Sequence, residues 1–177
     1  MNDVEHNSSF KSVKREVYIN VGNHECSEKY CSKCVRKFFQ EQPSHWTSGN
    51  LEIDKIIRES QKGAWRLDVI LEWIPFEQFY NLRRIDEGAF GIVYSAYWRD
   101  GPLDIEKKDT FSIFYREGPI KVILKKLKKS QNISVEFINE LKVHHKLYCQ
   151  DFSTNVIRLF GISKDPTDGE FYMVLEY

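Results

Sequence analysis

The chain has 177 residues, 41% of them hydrophobic, enough for an ordinary domain with a real core and too many for a miniprotein that depends on staples. Its 26 basic and 26 acidic residues cancel, so composition gives no general reason to expect nucleic acid or an anionic membrane as a partner. There is no long apolar run and the first residues lack the apolar core of a signal peptide. A cytoplasmic, reducing location is therefore expected, with the four cysteines read as thiols or metal ligands rather than disulfides.

Residues 1–22 are polar and aperiodic and read as a poorly ordered tail. Residues 23–47 carry a cysteine cluster, in which His24, Cys26, Cys31 and Cys34 join one C-x-x-C pair to two further donors. That set suffices for a tetrahedral structural zinc if His24 is the fourth ligand, with His45 as the alternative fourth. Free thiols, or a decayed knot, are the competing reading.

Residues 48–75 read as a helical linker. Leu51, Ile53, Ile56 and Ile57 recur at helical spacing, Ser48 or Asn50 is placed to cap the start, and Gly63 to stop the helix. A short helix or strand then leads to Pro75, and the main domain boundary is expected between Gly63 and Pro75.

Beyond it, "YNLRRIDEG", "GIVYSAYW" and "GPIKVILKKL" are rich in β-branched, aromatic and alternating apolar residues, the pattern of three antiparallel strands. The link from Arg99 to Gly118 is long and polar for a hairpin, which predicts an exposed excursion with a small hairpin around "TFSIFYR". "SVEFINELKVHHKLY" sets Phe137, Leu141, His144 and Tyr148 on one helical stripe, with Ser134 placed to cap it. His144 and His145 read as packed or surface histidines, and Cys149 as a small apolar residue at the helix end. "NVIRLFGIS" and "EFYMVLEY" read as two further strands, joined by the turn-rich "KDPTDG". The predicted class is α+β: a five-stranded antiparallel sheet with one packed helix over residues 76–177, preceded by a helical linker and a cysteine-rich segment.

This order, with a glycine-rich hairpin first, resembles the N-terminal lobe of a protein kinase. Ile85-Asp86-Glu87-Gly88-Ala89-Phe90-Gly91-Ile92-Val93 stands where that family has G-x-G-x-x-G-x-V, with Asp86 in place of the first glycine. Val122-Ile123-Leu124-Lys125 looks like the V-A-I-K of the third strand, Glu140 like the helix glutamate that pairs with its lysine (preferred over Glu136, one turn earlier), and Leu175 and Glu176 like the gatekeeper and the start of the hinge. The flanking "WTSGNLEIDKIIRESQ", "LEWIPFEQF" and "SQNISVEFINELK" further resemble an expanded group of fungal kinase-like proteins of the tyrosine-kinase-like type.

The resemblance implies ATP as ligand, with Ile85, Gly88, Ala89, Phe90, Gly91, Val93, Leu175 and Glu176 around it and Lys125 and Glu140 as the catalytic pair. The sequence ends at the hinge position, ahead of the H-R-D and D-F-G motifs that supply the base and the magnesium ligands, so the chain by itself is expected to be inactive in serine/threonine phosphoryl transfer. Asp86 near the phosphates and Ile123 against the adenine are expected to weaken nucleotide binding. The alternative expectation is a non-catalytic interaction module, recruiting a protein through the exposed lobe face or the cysteine-rich segment.

Overall fold

The computed structural model describes residues 17–20, 31–41, 47–88, 91–107, 111–127, 135–150 and 156–177. In chain order the elements are β1 (Val17–Asn20), α1 (Ser32–Glu41), α2 (Leu51–Lys62), β2 (Glu72–Trp73), β3 (Phe79–Gly88), β4 (Gly91–Trp98), β5 (Leu103–Lys107), β6 (Phe111–Arg116), β7 (Ile120–Leu127), α3 (Val135–Gln150), β8 (Leu159–Lys164) and β9 (Phe171–Glu176).

The five expected strands lie side by side and antiparallel in the order β8-β9-β7-β4-β3. The architecture is larger than the predicted single sheet with one helix. β2 adds a sixth strand, parallel to β8, and makes the sheet mixed. A second, three-stranded sheet has the order β1-β6-β5, and three α-helices pack among the described residues.

β2 has only two residues, too few for any alternation to announce it, and main-chain contact holds it instead. Ile74 N–H donates to Ile162 O at 2.9 Å. Gly161 makes the approach possible, since a Cβ there would stand 2.0 Å from Glu72 O.

The Arg99–Gly118 link is likewise not a solvated excursion. β5 and β6 pair along their length, and their inward residues Ile105 and Phe114 are fully buried. They meet α1 through Cys34, Val35 and Phe38, the Phe38 and Phe114 rings stacking with centroids 4.2 Å apart. Residues 17–20, read as part of a tail, pair with β6 as its outer strand. Gly101 closes the base of this hairpin with φ 66°, 2.0 Å from Gly118 O at its would-be Cβ. Arg116 then ties the small sheet to the large one. Its guanidinium forks onto Glu72 of β2, with Nη1 to Oε1 at 2.9 Å, donates to Gly101 O at 3.1 Å, and covers the Trp98 ring.

α2 forms as its sequence predicts. Of the two candidate caps, the Asn50 side chain accepts from Glu52 N and Ile53 N, and the helix stops at Gly63. Ser48 does something else: with Thr47 it binds the buried carboxylate of Asp54, at 2.6 Å from each hydroxyl and 2.8 Å from the Ser48 N–H. This brace fixes α2 so that Ile53 and Ile57 join Phe137 and Leu141 of α3 over β8 and β9. Of the stripe expected on α3, Phe137 and Leu141 are buried, while His144 and Tyr148 are half-buried; Ser134 lies outside the described residues. No helix among the described residues is long and apolar enough to cross a membrane.

Candidate functional site

Residues directly opposite one another in an antiparallel pair point to the same face. The register sets Asp86 of β3 opposite Val93 of β4, Val93 opposite Lys125 of β7, and Lys125 opposite Met173 of β9, so these four side chains cross the sheet in one row. The next row is Ser95, Ile123 and Leu175. Both rows lie on the face covered by α3, because Met173, Leu175 and, at the margin, Ile123 pack with Phe137 and Leu141.

Lys125 sits where this packing gives way. Its Nζ forms an ion pair with Glu140 Oε1 of α3, both side chains about one-third exposed. Glu136, the competing partner, is exposed one turn earlier. An ion pair of this kind contributes little to stability, about 0.2–1 kcal/mol. It does hold a flexible lysine in one place beside the sheet, which a lone solvated lysine would not be.

The β3–β4 hairpin lies at the same end of the sheet, where Gly91 stands opposite Leu127 of β7, two residues past Lys125. Gly88 and Gly91 are register partners that close it; Ala89 and Phe90, between them, lie outside the described residues. Ile85 falls at a register irregularity between Arg84 and Asp86 and is half-exposed. The Asp86 carboxylate accepts from the Glu87 N–H at 2.8 Å. Two strand spacings separate it from Lys125, about 10 Å, close to a Debye length at physiological salt. At that range the carboxylate weakens an anion site without cancelling it.

Leu175 is buried and Ile123 half-buried in the cluster beneath α3. The isoleucine is therefore partly absorbed by packing against the helix side and does not stand fully in the open part of the ledge. Glu176 is exposed, and its N–H donates to Arg158 O at 2.9 Å. Lysine, valine, leucine and the hairpin glycines thus converge on one ledge, half apolar and half cationic. Such a ledge can seat a flat apolar group next to an anion. Met173, which completes the row with Lys125, escaped the sequence reading because only strand register reveals it.

The cysteine cluster lies elsewhere. Cys31 precedes α1 and Cys34 enters it, and Cys34 is buried against Val35, Phe38, Ala64 and Phe114. His24, Cys26 and His45 fall outside the described residues, and two donors alone do not make a tetrahedral zinc site. Among the described residues no group of three or more histidine, cysteine or acidic side chains could hold a metal. His144 and His145 both engage main-chain carbonyls, Ile157 O at 2.8 Å and Val69 O at 2.7 Å.

The chain matches no known family model and no curated protein.

Proposed function

We propose that the six-stranded sheet and α3 form the nucleotide-binding lobe of a serine/threonine protein-kinase-like protein. ATP is the ligand, its phosphates directed at Lys125 under the β3–β4 hairpin and its base against Val93, Ile123 and Leu175. The observation that carries this reading is the Lys125–Glu140 ion pair on the hairpin side of the sheet. It fixes one positive charge where the glycine hairpin leaves room for the backbone to approach an anion. The carboxylates described at this ledge are Asp86, which accepts from the Glu87 N–H, and Glu140, which is taken up by Lys125. Phosphoryl transfer therefore requires a second lobe that supplies the magnesium ligands and the group that accepts the substrate proton.

ATP titrated into the full chain by calorimetry tests the reading. Binding should be weak, because only one wall of the adenine slot belongs to this lobe, and Lys125→Met should abolish it. ATP binding that survives Lys125→Met removes the phosphate role of this lysine, and no binding at millimolar nucleotide favours the second reading.

That second reading is a non-catalytic interaction module. It is favoured by the small sheet and α1, which build a core of their own around Phe114 and, among the described residues, contribute no side chain to the ledge.

A further inference from the structure

α2, the turn after it and α3 border a partly open cavity of about 400 Å³, within the roughly 300–1,000 Å³ range of small-molecule sites. Its walls include Ile56 of α2, Trp65 and Val69 of the turn, and His145 and Cys149 of α3. Ile56 and Val69 are buried, whereas the Trp65 side chain is 43% exposed. Glu59 and Lys142 also line it, both exposed and of opposite sign, so they bring no net charge.

Behind that exposed pair the polar side chains of the wall are uncharged: Ser60 donates to Ile57 O at 2.7 Å and accepts from the Leu71 N–H at 3.0 Å, which leaves His145 and Cys149. His145 Nε2 lies 2.7 Å from Val69 O, an acceptor only, so this nitrogen carries the proton and donates it. Nδ1 is then the lone-pair nitrogen of a neutral ring. Burial holds the ring's pKa below the ordinary histidine value, with His144 acting in the same direction against the Val69 bond. Cys149 Sγ lies 3.5 Å from His145 Nε2. That nitrogen already bears a proton, so it cannot accept the one on sulfur, and the pair is not a base and nucleophile. Burial, with Asp68, pushes the thiol further up. Away from the exposed Glu59 and Lys142, an apolar, aromatic-edged cavity whose remaining polar side chains are an imidazole acceptor and a neutral thiol disfavours a charged guest, and the Trp65 ring at its edge suits a flat one.

We propose that this cavity is a binding site for a neutral, flat aromatic molecule bearing one hydrogen-bond donor, its ring against Trp65 and its donor toward the His145 imidazole. The site is independent of nucleotide binding, which uses none of these residues.

Indole is the probe. The reduced full chain is alkylated with iodoacetamide with and without millimolar indole, and the rate at Cys149 is read by peptide mass spectrometry, with Cys31 as internal reference. Saturation-transfer NMR on indole reports binding independently of thiol reactivity. Indole should receive saturation from the protein and slow Cys149 selectively. Trp65→Ala, at a half-exposed position whose loss leaves the melting transition in place, should weaken binding about tenfold. Benzoate, flat but anionic, should bind more weakly than indole. Absence of saturation transfer, protection of Cys31 equal to that of Cys149, undiminished binding by Trp65→Ala, or benzoate binding as well as indole would each overturn the proposal.

Discussion

The two faces of the six-stranded sheet are built to different ends. On one face Trp98, Val122, Leu124 and Val174, with Phe79 and Ile74 from the approach to β3, are buried almost without remainder. On the other, hydrocarbon from α2 and α3 covers β8 and β9, but the cover thins across β7 and ends at Lys125, Val93 and the hairpin. Strand β7 shows the difference within one element: Val122 and Leu124 point to the closed face, Ile123 and Lys125 to the open one. Both faces carry a buried cluster, but on the open one the cover stops short of the hairpin, and there a charge is held in a half-wet position that would not be tolerated in the core.

Substitutions on the closed face should therefore cost most. Trp98→Ala removes a fully buried ring that packs against Phe160 and beneath Arg116. It should lower unfolding free energy by about 3–5 kcal/mol, measured by denaturant titration.

The brace of α2 comes next, because it holds one margin of the open face. Burial disfavours the Asp54 carboxylate, but the hydrogen bonds from Ser48 and Thr47 outweigh it and keep its pKa below the ordinary value. A depressed folded value means that its contribution is complete at neutral pH. It should fade as pH falls below about 4 and through the folded value. Asp54→Asn should cost about 1–3 kcal/mol at pH 7 and flatten the acid limb of the stability profile. An unchanged acid limb would show that the brace carries no such load.

Ile123→Ala probes the margin itself. The side chain is half-buried, so the cost should be about 1–2 kcal/mol, below that of a full core truncation. On the nucleotide reading the same change relieves crowding and tightens ATP. Tighter binding in a less stable protein would separate the two roles of this position.

The smallest effect on stability is expected where the effect on binding is largest. Lys125→Met should shift unfolding by less than about 1 kcal/mol, since the pair it breaks is part-exposed. A loss comparable to that of Trp98→Ala would mean that Lys125 belongs to the core and that the contrast between the faces is wrong.

Strands β3, β4, β7, β8 and β9 and helices α2 and α3 were legible in the sequence because each carries its own period over several residues. The pairing of Lys125 with Glu140 was legible for a different reason, the likeness of the surrounding motifs to a kinase lobe, which singled out one lysine among many. What was not legible depends on distant partners. β1 is four residues long and is defined by β6 far along the chain, and β2 by the bare backbone at Gly161. α1 did carry a signal, since Cys31, Cys34, Val35 and Phe38 follow helical spacing, but attention to the thiols as metal donors obscured Cys34 as a core residue. The cavity beside His145 needs α2 and α3 to be packed together, and no local pattern states that.

The fork between Arg116 and Glu72 bears on the smallest piece of this chain that can be made and handled. Sequence pattern places the domain boundary between Gly63 and Pro75, and a fragment cut at Pro75 would keep every strand of the ledge. It would also keep Arg116 while discarding the Glu72 carboxylate that its guanidinium forks onto, leaving a partly buried cation over the Trp98 ring without that partner. The edge of β8 would lose β2 in the same cut and present bare main chain for another molecule to pair with. Material intended for nucleotide or ligand measurements should accordingly begin well before Glu72, and a shorter version that misbehaves in solution would say more about the cut than about the lobe.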